Sequence, residues 1–196
     1  MAIPRTLVLA SGSPRRRELL GGLGLRFAVR STEIDETPRP GEAPEVYVLR
    51  LAEEKAWAAG RPGELVLAAD TTVVVDGEIL GKPEDEADAA RMLRLLSGRE
   101  HEVLTGVAVL DVPGRIVSGL SRTAVRMAPL TAEEVVWYAA TGEPRDKAGA
   151  YAIQGLGSLF VEAVSGNYSN VVGLPIPTIY RLFAELGYDL KALRED

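Results

Sequence analysis

Cysteine is missing altogether from this chain, and histidine occurs once, at position 101. The first absence excludes disulfides, thiolate catalysis and cysteine-ligated zinc. The second excludes a multi-histidine metal site and argues against a histidine-based triad; His101 is expected near the start of a strand, with no catalytic task. Long apolar runs are missing too, since none approaches the roughly 18 residues that cross a bilayer. Met1-Ala2-Ile3-Pro4-Arg5 leads into an apolar strand rather than into a signal-peptide core. A cytoplasmic protein without membrane contact is therefore expected. Nor is there an excess of positive charge. A formal net charge of −6 argues against non-specific binding to nucleic acid, whose phosphates demand a basic face. Lysines and amides are scarce: 4 lysines stand against 18 arginines, with one glutamine and two asparagines. Each of these residues therefore carries more information than usual.

What is present is a globular composition, 46% hydrophobic and 26% charged over 196 residues, enough for one domain, 1–196, with a real core. No repeat, low-complexity stretch or linker divides it. Leu7-Val8-Leu9-Ala10 reads as a buried strand, Ser11-Gly12-Ser13 as a small-residue turn, and Pro14 onward as a helix with Ser13 as its N-cap. Arg15-Arg16-Arg17 then crowd the helix end that is already positive. Either an anion offsets them, as at a phosphate-binding helix N-terminus, or they spread into solvent from an ordinary strand-loop-helix.

Further along, Arg26–Val29 reads as a strand, and the Pro-rich stretch to Pro44 carries the acidic cluster Glu33-Ile34-Asp35-Glu36. That cluster is either a solvated loop or the source of one carboxylate, Glu33 being nearest the strand, that faces the basic turn and helps hold a divalent cation. Pro44–Ala59 has helical spacing. Lys55, seven positions after Val48, lies on its apolar face, where it either snorkels past the core edge or aims an ammonium into an anion site. Leu65–Ala69 is a fully apolar strand that is expected to stop at Asp70. A carboxylate at the end of such a strand occupies a common catalytic position. Asp76-Gly77 predicts a two-residue hairpin pairing Val75 with Glu78, Val73 with Leu80 and Thr71 with Lys82.

A helix over Glu84–Ser97, strands over Glu102–Leu110 and Arg115–Met127, and a capped helix opening at Thr131 read as scaffold. The glycine-rich stretch Asp146–Ser158 holds Gln154, whose amide offers a donor and an acceptor side by side. That pair matches the O4 and N3–H of uracil or thymine; a loop-capping glutamine is the alternative. Leu159–Val164 reads as a strand, Ser165–Asn170 as a loop, and a last helix begins near Pro175–Thr178.

Taken together, Ser11-Gly12-Ser13-Pro14-Arg15-Arg16, Ala69-Asp70-Thr71, Gly81-Lys82-Pro83, Gly142-Glu143-Pro144 with Asp146-Lys147-Ala148-Gly149-Ala150-Tyr151, and Ile153-Gln154-Gly155 resemble the Maf family of nucleoside triphosphate pyrophosphatases. The resemblance spans nearly the whole chain. It implies an elongated mixed α/β fold related to the inosine triphosphate pyrophosphatases, a twisted mixed sheet with flanking helices and a cleft between two lobes. It also implies hydrolysis of a nucleoside triphosphate to monophosphate and pyrophosphate with a divalent cation, Mg²⁺ or Mn²⁺. By resemblance Asp70 accepts the proton, Asp70 and Glu33 hold the metal, and Ser13, Arg16, Lys55 and Lys82 bind the phosphates. Arg15, Thr71 and Gln154 match the specificity positions of the subgroup that acts on dTTP and UTP. The alternatives are a nucleotide-binding regulator of septum formation and a pyrophosphatase for other modified nucleotides. The expected partner is a small-molecule nucleoside triphosphate, with no nucleic acid or membrane, and a homodimer is an open option.

Overall fold

Two parities of side chain along one strand organise the first half of the fold. In the computed structural model, which describes residues 5–194, strand β1 (Thr6–Leu9) pairs in parallel with β3 (Glu64–Val75), Leu9 opposite Leu67. Successive side chains of a strand point to opposite faces. Accordingly Leu65, Leu67 and Ala69 join Leu7 and Leu9 in a core with Ile179, Leu182 and Phe183 of the last helix, α6 (Ile176–Glu185). Val66 and Ala68 join Val8, Ala52, Ala56 and Ala59 on the other face, under α2 (Pro44–Ala59). Asp70 shares the parity of Val66 and Ala68, so the alternation that builds the core also turns its carboxylate toward α2.

The remaining elements follow in chain order: α1 (Pro14–Gly21) and the two-residue β2 (Ala28–Val29) before α2; then, after β3, β4 (Glu78–Leu80), α3 (Glu86–Leu96), β5 (Glu100–Asp111), β6 (Arg115–Met127), α4 (Ala132–Ala140), β7 (Val161–Ser165) and α5 (Tyr168–Val172), ahead of α6. The sheet is mixed, in the order β2-β1-β3-β5-β6-β7 with β4 on β3. Pairing is parallel for β1 with β2 and with β3, and antiparallel for β3 with β4 and β6 with β7. This is the mixed α/β class expected. No helix among the described residues is long and apolar enough to cross a membrane.

Cα packing divides the chain into two compact units, one of Met1–Asp70, Thr105–Ser121 and Gly173–Asp196, the other of Thr71–Leu104 and Arg122–Val172. The core of the second gathers Val73, Leu80, Leu93, Val125, Tyr138 and Phe160.

Several boundaries differ from expectation. β3 does not stop at Asp70 but runs on to Val75, because the β-branched run Thr71–Val75 continues the strand past the carboxylate. Its parallel pairing with β1 does end at Leu67, so Asp70 still stands just beyond that ladder. The hairpin has the expected register at Val73–Leu80 and Val75–Glu78, but the ladder ends there and does not reach Thr71 and Lys82. Of Arg26–Val29 only Ala28–Val29 is strand. Leu159 belongs to a 3₁₀ turn, and the strand begins at Val161. The loop expected over Ser165–Asn170 gives way to the short helix from Tyr168. The run-in Met1–Pro4 lies outside the described residues.

Candidate active site

Helix α1 begins as its residues dictate. Ser13 accepts a hydrogen bond from the Arg16 backbone N–H, and Pro14 occupies the first turn. The arginine run divides. Arg17 is exposed, whereas Arg15 and Arg16 are half-buried. Arg16 folds back into the protein: its Nε donates to Gly173 O at 2.7 Å, and its Nη1 to Ala69 O at 2.8 Å and Ser11 Oγ at 3.3 Å. Two backbone carbonyls thus hold one side of the guanidinium, which offsets the crowding of charge at the helix start. Burial holds Arg16 below its ordinary pKa; the Asp70 charge opposes this, Arg15 adds to it, and Glu36 opposes it.

Lys55 sits on the apolar face of α2, as its spacing requires, and is buried. It does not snorkel. Its Nζ lies 2.6 Å from Asp70 Oδ1 and 2.6 Å from Glu36 Oε1. A buried ammonium needs such partners, because an unpaired charge out of water costs several kcal/mol. Asp70 is itself 7% exposed.

Glu36 is the carboxylate that spacing missed. Glu33, the residue favoured by its nearness to the strand, and Glu36 are both exposed, but it is Glu36 that a loop fastened onto α2 carries to Lys55. Tyr47 donates to Glu36 O at 2.9 Å, and Arg50 donates to Glu42 at 2.6 and 2.7 Å. That bidentate contact, first among its causes, draws Glu42 down to about 2 against the opposing effect of burial. Burial, then the charges of Asp70 and Glu36, push Tyr47 up to about 12. The acidic cluster alone could not say which of its three carboxylates meets Lys55.

Asp70 and Glu36 are the donors available to a divalent cation. Among the described residues no group of three or more histidine, aspartate or glutamate side chains is gathered to hold one. Two carboxylates completed by phosphate oxygens and water suit Mg²⁺, which seldom takes an all-protein cage.

The second compact unit carries the other expected residues. Thr71 is half-buried on β3, and Lys82 is exposed two residues beyond β4. The Gly81 carbonyl before Lys82 accepts from Gly149 N at 3.0 Å. A Cβ at Gly149 would lie 2.8 Å from a Val73 methyl, so the glycine of the Asp146–Tyr151 stretch lets that turn close on the hairpin. Gln154 is exposed, and its side chain makes no cap bond to the turn that follows it. His101 is buried near the start of β5, 2.7 Å from Tyr151 Oη.

A sequence model described as Maf-like protein matches residues 6–186. The chain belongs to the Maf family. Among Maf relatives, a protein of Anaeromyxobacter sp. (strain Fw109-5) named dTTP/UTP pyrophosphatase is 57% identical over 188 residues, 94% of this chain and 91% of that one. A protein of the same name from Myxococcus xanthus (strain DK1622) is 54% identical over 187 residues, 94% of each. A solved HAM1 protein structure from Coxiella burnetii is similar over 65% of this chain and 75% of its own, at 17% identity and a TM-score of 0.48.

Proposed function

We propose that this Maf protein is a phosphoanhydride hydrolase that converts dTTP and UTP to their monophosphates and pyrophosphate, as a cytoplasmic enzyme of small-molecule nucleotides. The observation that carries the reading is the buried Asp70–Lys55 contact of 2.6 Å just beyond the β1–β3 ladder, with Arg16 tied to the Ala69 carbonyl beside it. The names of the two relatives support the substrate pair.

Water attacks the α-phosphorus, the bond to the bridging oxygen of the β-phosphate breaks, and pyrophosphate leaves. Lys55 fixes Asp70 through Oδ1, so that Oδ2 is the oxygen that takes the proton from the attacking water. A proton acceptor so placed contributes about 10²–10⁴-fold to rate. Ser13, Arg16, Lys55 and Lys82 supply donors and positive charge to the phosphates, where charge builds as the bond breaks. Asp70 with Glu36, which the geometry favours over Glu33, would hold a divalent cation, and that ion supplies charge neutralisation on the triphosphate. Arg15, Thr71 and Gln154 read the nucleoside, the Gln154 amide pairing with the O4 and N3–H edge shared by thymine and uracil.

The test is a panel of dTTP, UTP, CTP, dATP and dGTP with Mg²⁺ or Mn²⁺, scoring monophosphate and pyrophosphate. Release of pyrophosphate from dTTP and UTP well above the other three is expected. Binding of nucleotide without turnover would favour a regulatory role, and a preference for purines would refute the assigned specificity.

A further inference from the structure

Gln154 stands on a stretch that has no strand pairing of its own, between Tyr151 and the 3₁₀ turn Gly155–Phe160. An amide that reads a base by two hydrogen bonds needs its backbone held in place, since a misplacement of about 1 Å can cost on the order of 10²-fold. Two side chains from elsewhere in the same unit grip that stretch on both sides of Gln154. Before it, Ala152 N donates to Tyr138 Oη at 3.1 Å; after it, Leu156 N and Gly157 N donate to the two oxygens of Glu143 at 3.0 and 2.9 Å. The two grips are joined, because Tyr138 donates its hydroxyl proton to Glu143 Oε1 at 2.8 Å.

The clamp is itself anchored. Tyr138 is fully buried on α4, with its ring 5.4 Å from that of Phe160. Glu143 opens a 3₁₀ turn, its own N–H reaches Thr141 Oγ1 at 3.2 Å, and Lys147 Nζ reaches its carbonyl at 2.6 Å. The neighbouring glycines answer to the same contact. A Cβ at Gly155, whose φ is +74°, would fall 2.5 Å from Glu143 Oε2, and one at Gly157 would fall 2.5 Å from Tyr138 Oη. A side chain at either position would therefore crowd the clamp, and at Gly157 it would also meet the Ala152 carbonyl oxygen at 2.3 Å. Burial raises the Glu143 pKa, but donation from Gly157, Tyr138 and Leu156, with the nearby charge of Lys147, outweighs it and leaves the group below its ordinary value. The carboxylate is thus held as an anion, which is the form that accepts three donors at once.

We infer that Glu143, acting with Tyr138, is the positioning residue that sets Gln154 for reading the pyrimidine edge, so that base selectivity depends on a carboxylate that need not touch the substrate. The inference rests on the assignment of Gln154 as a base-reading residue. Three variants separate the two ideas. Glu143→Gln replaces one acceptor oxygen by an NH₂ group that opposes an N–H of the stretch. Tyr138→Phe keeps the buried ring and removes only the hydroxyl, which guards against a loss of folding in the first variant. Gln154→Ala removes the reading group itself.

The readouts are kcat and KM for dTTP and for CTP, with hydrogen exchange at the Leu156 and Gly157 amides. Glu143→Gln and Tyr138→Phe are expected to lower the dTTP-to-CTP ratio of kcat/KM by about tenfold, chiefly by raising KM for dTTP, and to speed exchange at both amides. Gln154→Ala should lower the ratio by at least as much without changing the exchange. An unchanged ratio in both clamp variants, with a lowered one in Gln154→Ala, overturns the positioning role alone. An unchanged ratio in Gln154→Ala overturns the assignment beneath it and the inference with it.

Discussion

At the scale of single residues, the informative groups are those whose chemistry conflicts with their surroundings. Lys55 is an ammonium on a buried helix face, and the conflict is resolved by Asp70 and Glu36, each 2.6 Å away. Replacement of Asp70 by Asn tests its place in the reaction without stranding the ammonium, because Glu36 remains beside Lys55. Turnover of dTTP should fall by about 10²–10⁴-fold, while the affinity for a non-hydrolysable dTTP analogue, measured by calorimetry, stays within about tenfold. Pyrophosphate release near the parent rate would refute Asp70 as the proton acceptor. Position in the sequence sufficed to single out Asp70 and Lys55, because each breaks a local apolar pattern. It could not choose Glu36 over Glu33: three carboxylates in four residues of irregular chain carry no periodicity, and the choice depends on how Tyr47 and Arg50 fasten the loop.

At the scale of elements, the site depends on how closely α2 lies against the sheet. Gly106 on β5 permits that approach, since a Cβ there would stand 2.3 Å from the Val48 carbonyl oxygen and 2.7 Å from Leu49 N. These are backbone atoms of α2, which cannot rotate aside. Gly106→Ala should therefore push the helix that carries Lys55 off the sheet and cost on the order of 1–3 kcal/mol, the usual range for overpacking, seen as a lower urea midpoint together with a loss of kcat. An unchanged midpoint would show that the helix shifts without strain. Most helices and strands were legible beforehand, since caps, hairpin turns and periodicity act within a few residues. The Ser13 cap and the Thr131 capping box stand as read, and so do the Val73–Leu80 and Val75–Glu78 pairs of the Asp76-Gly77 hairpin, though not its third pair. The end of β3 was misjudged because a buried carboxylate resembles a terminus, whereas here the strand passes through it.

At the scale of the whole molecule, stability should depend on pH through the one histidine of the chain. Burial pushes His101 down to about 4 from an ordinary 6.5. A histidine whose pKa is depressed on folding binds its proton more readily in the unfolded chain. Its contribution is therefore complete above pH 6.5 and is lost as the pH falls from 6.5 to 4, on the order of 2 kcal/mol by pH 5. Glu42, held near 2 by Arg50, adds a further loss only between its ordinary value of 4.5 and about 2. The thermal midpoint of the parent protein should thus drop between pH 7 and pH 5, while that of a His101→Phe variant stays nearly level. An equal drop in both would place the acid sensitivity elsewhere.

The sequence by itself determined the class of fold, the residues on each face of the buried strands and helices, and the family, because these follow from local sterics, from periods of 2 and 3.6, and from motifs in order along the chain. It also put Asp70 and Lys55 on facing surfaces, once β3 and α2 are packed, through strand parity and helix spacing. Only the tertiary structure decided which carboxylate joins them, which backbone carbonyls hold Arg16, and that Glu143 and Tyr138 clamp the stretch bearing Gln154. Those contacts join parts of the chain as many as 157 residues apart, which packing brings together and no pattern of neighbouring residues could specify.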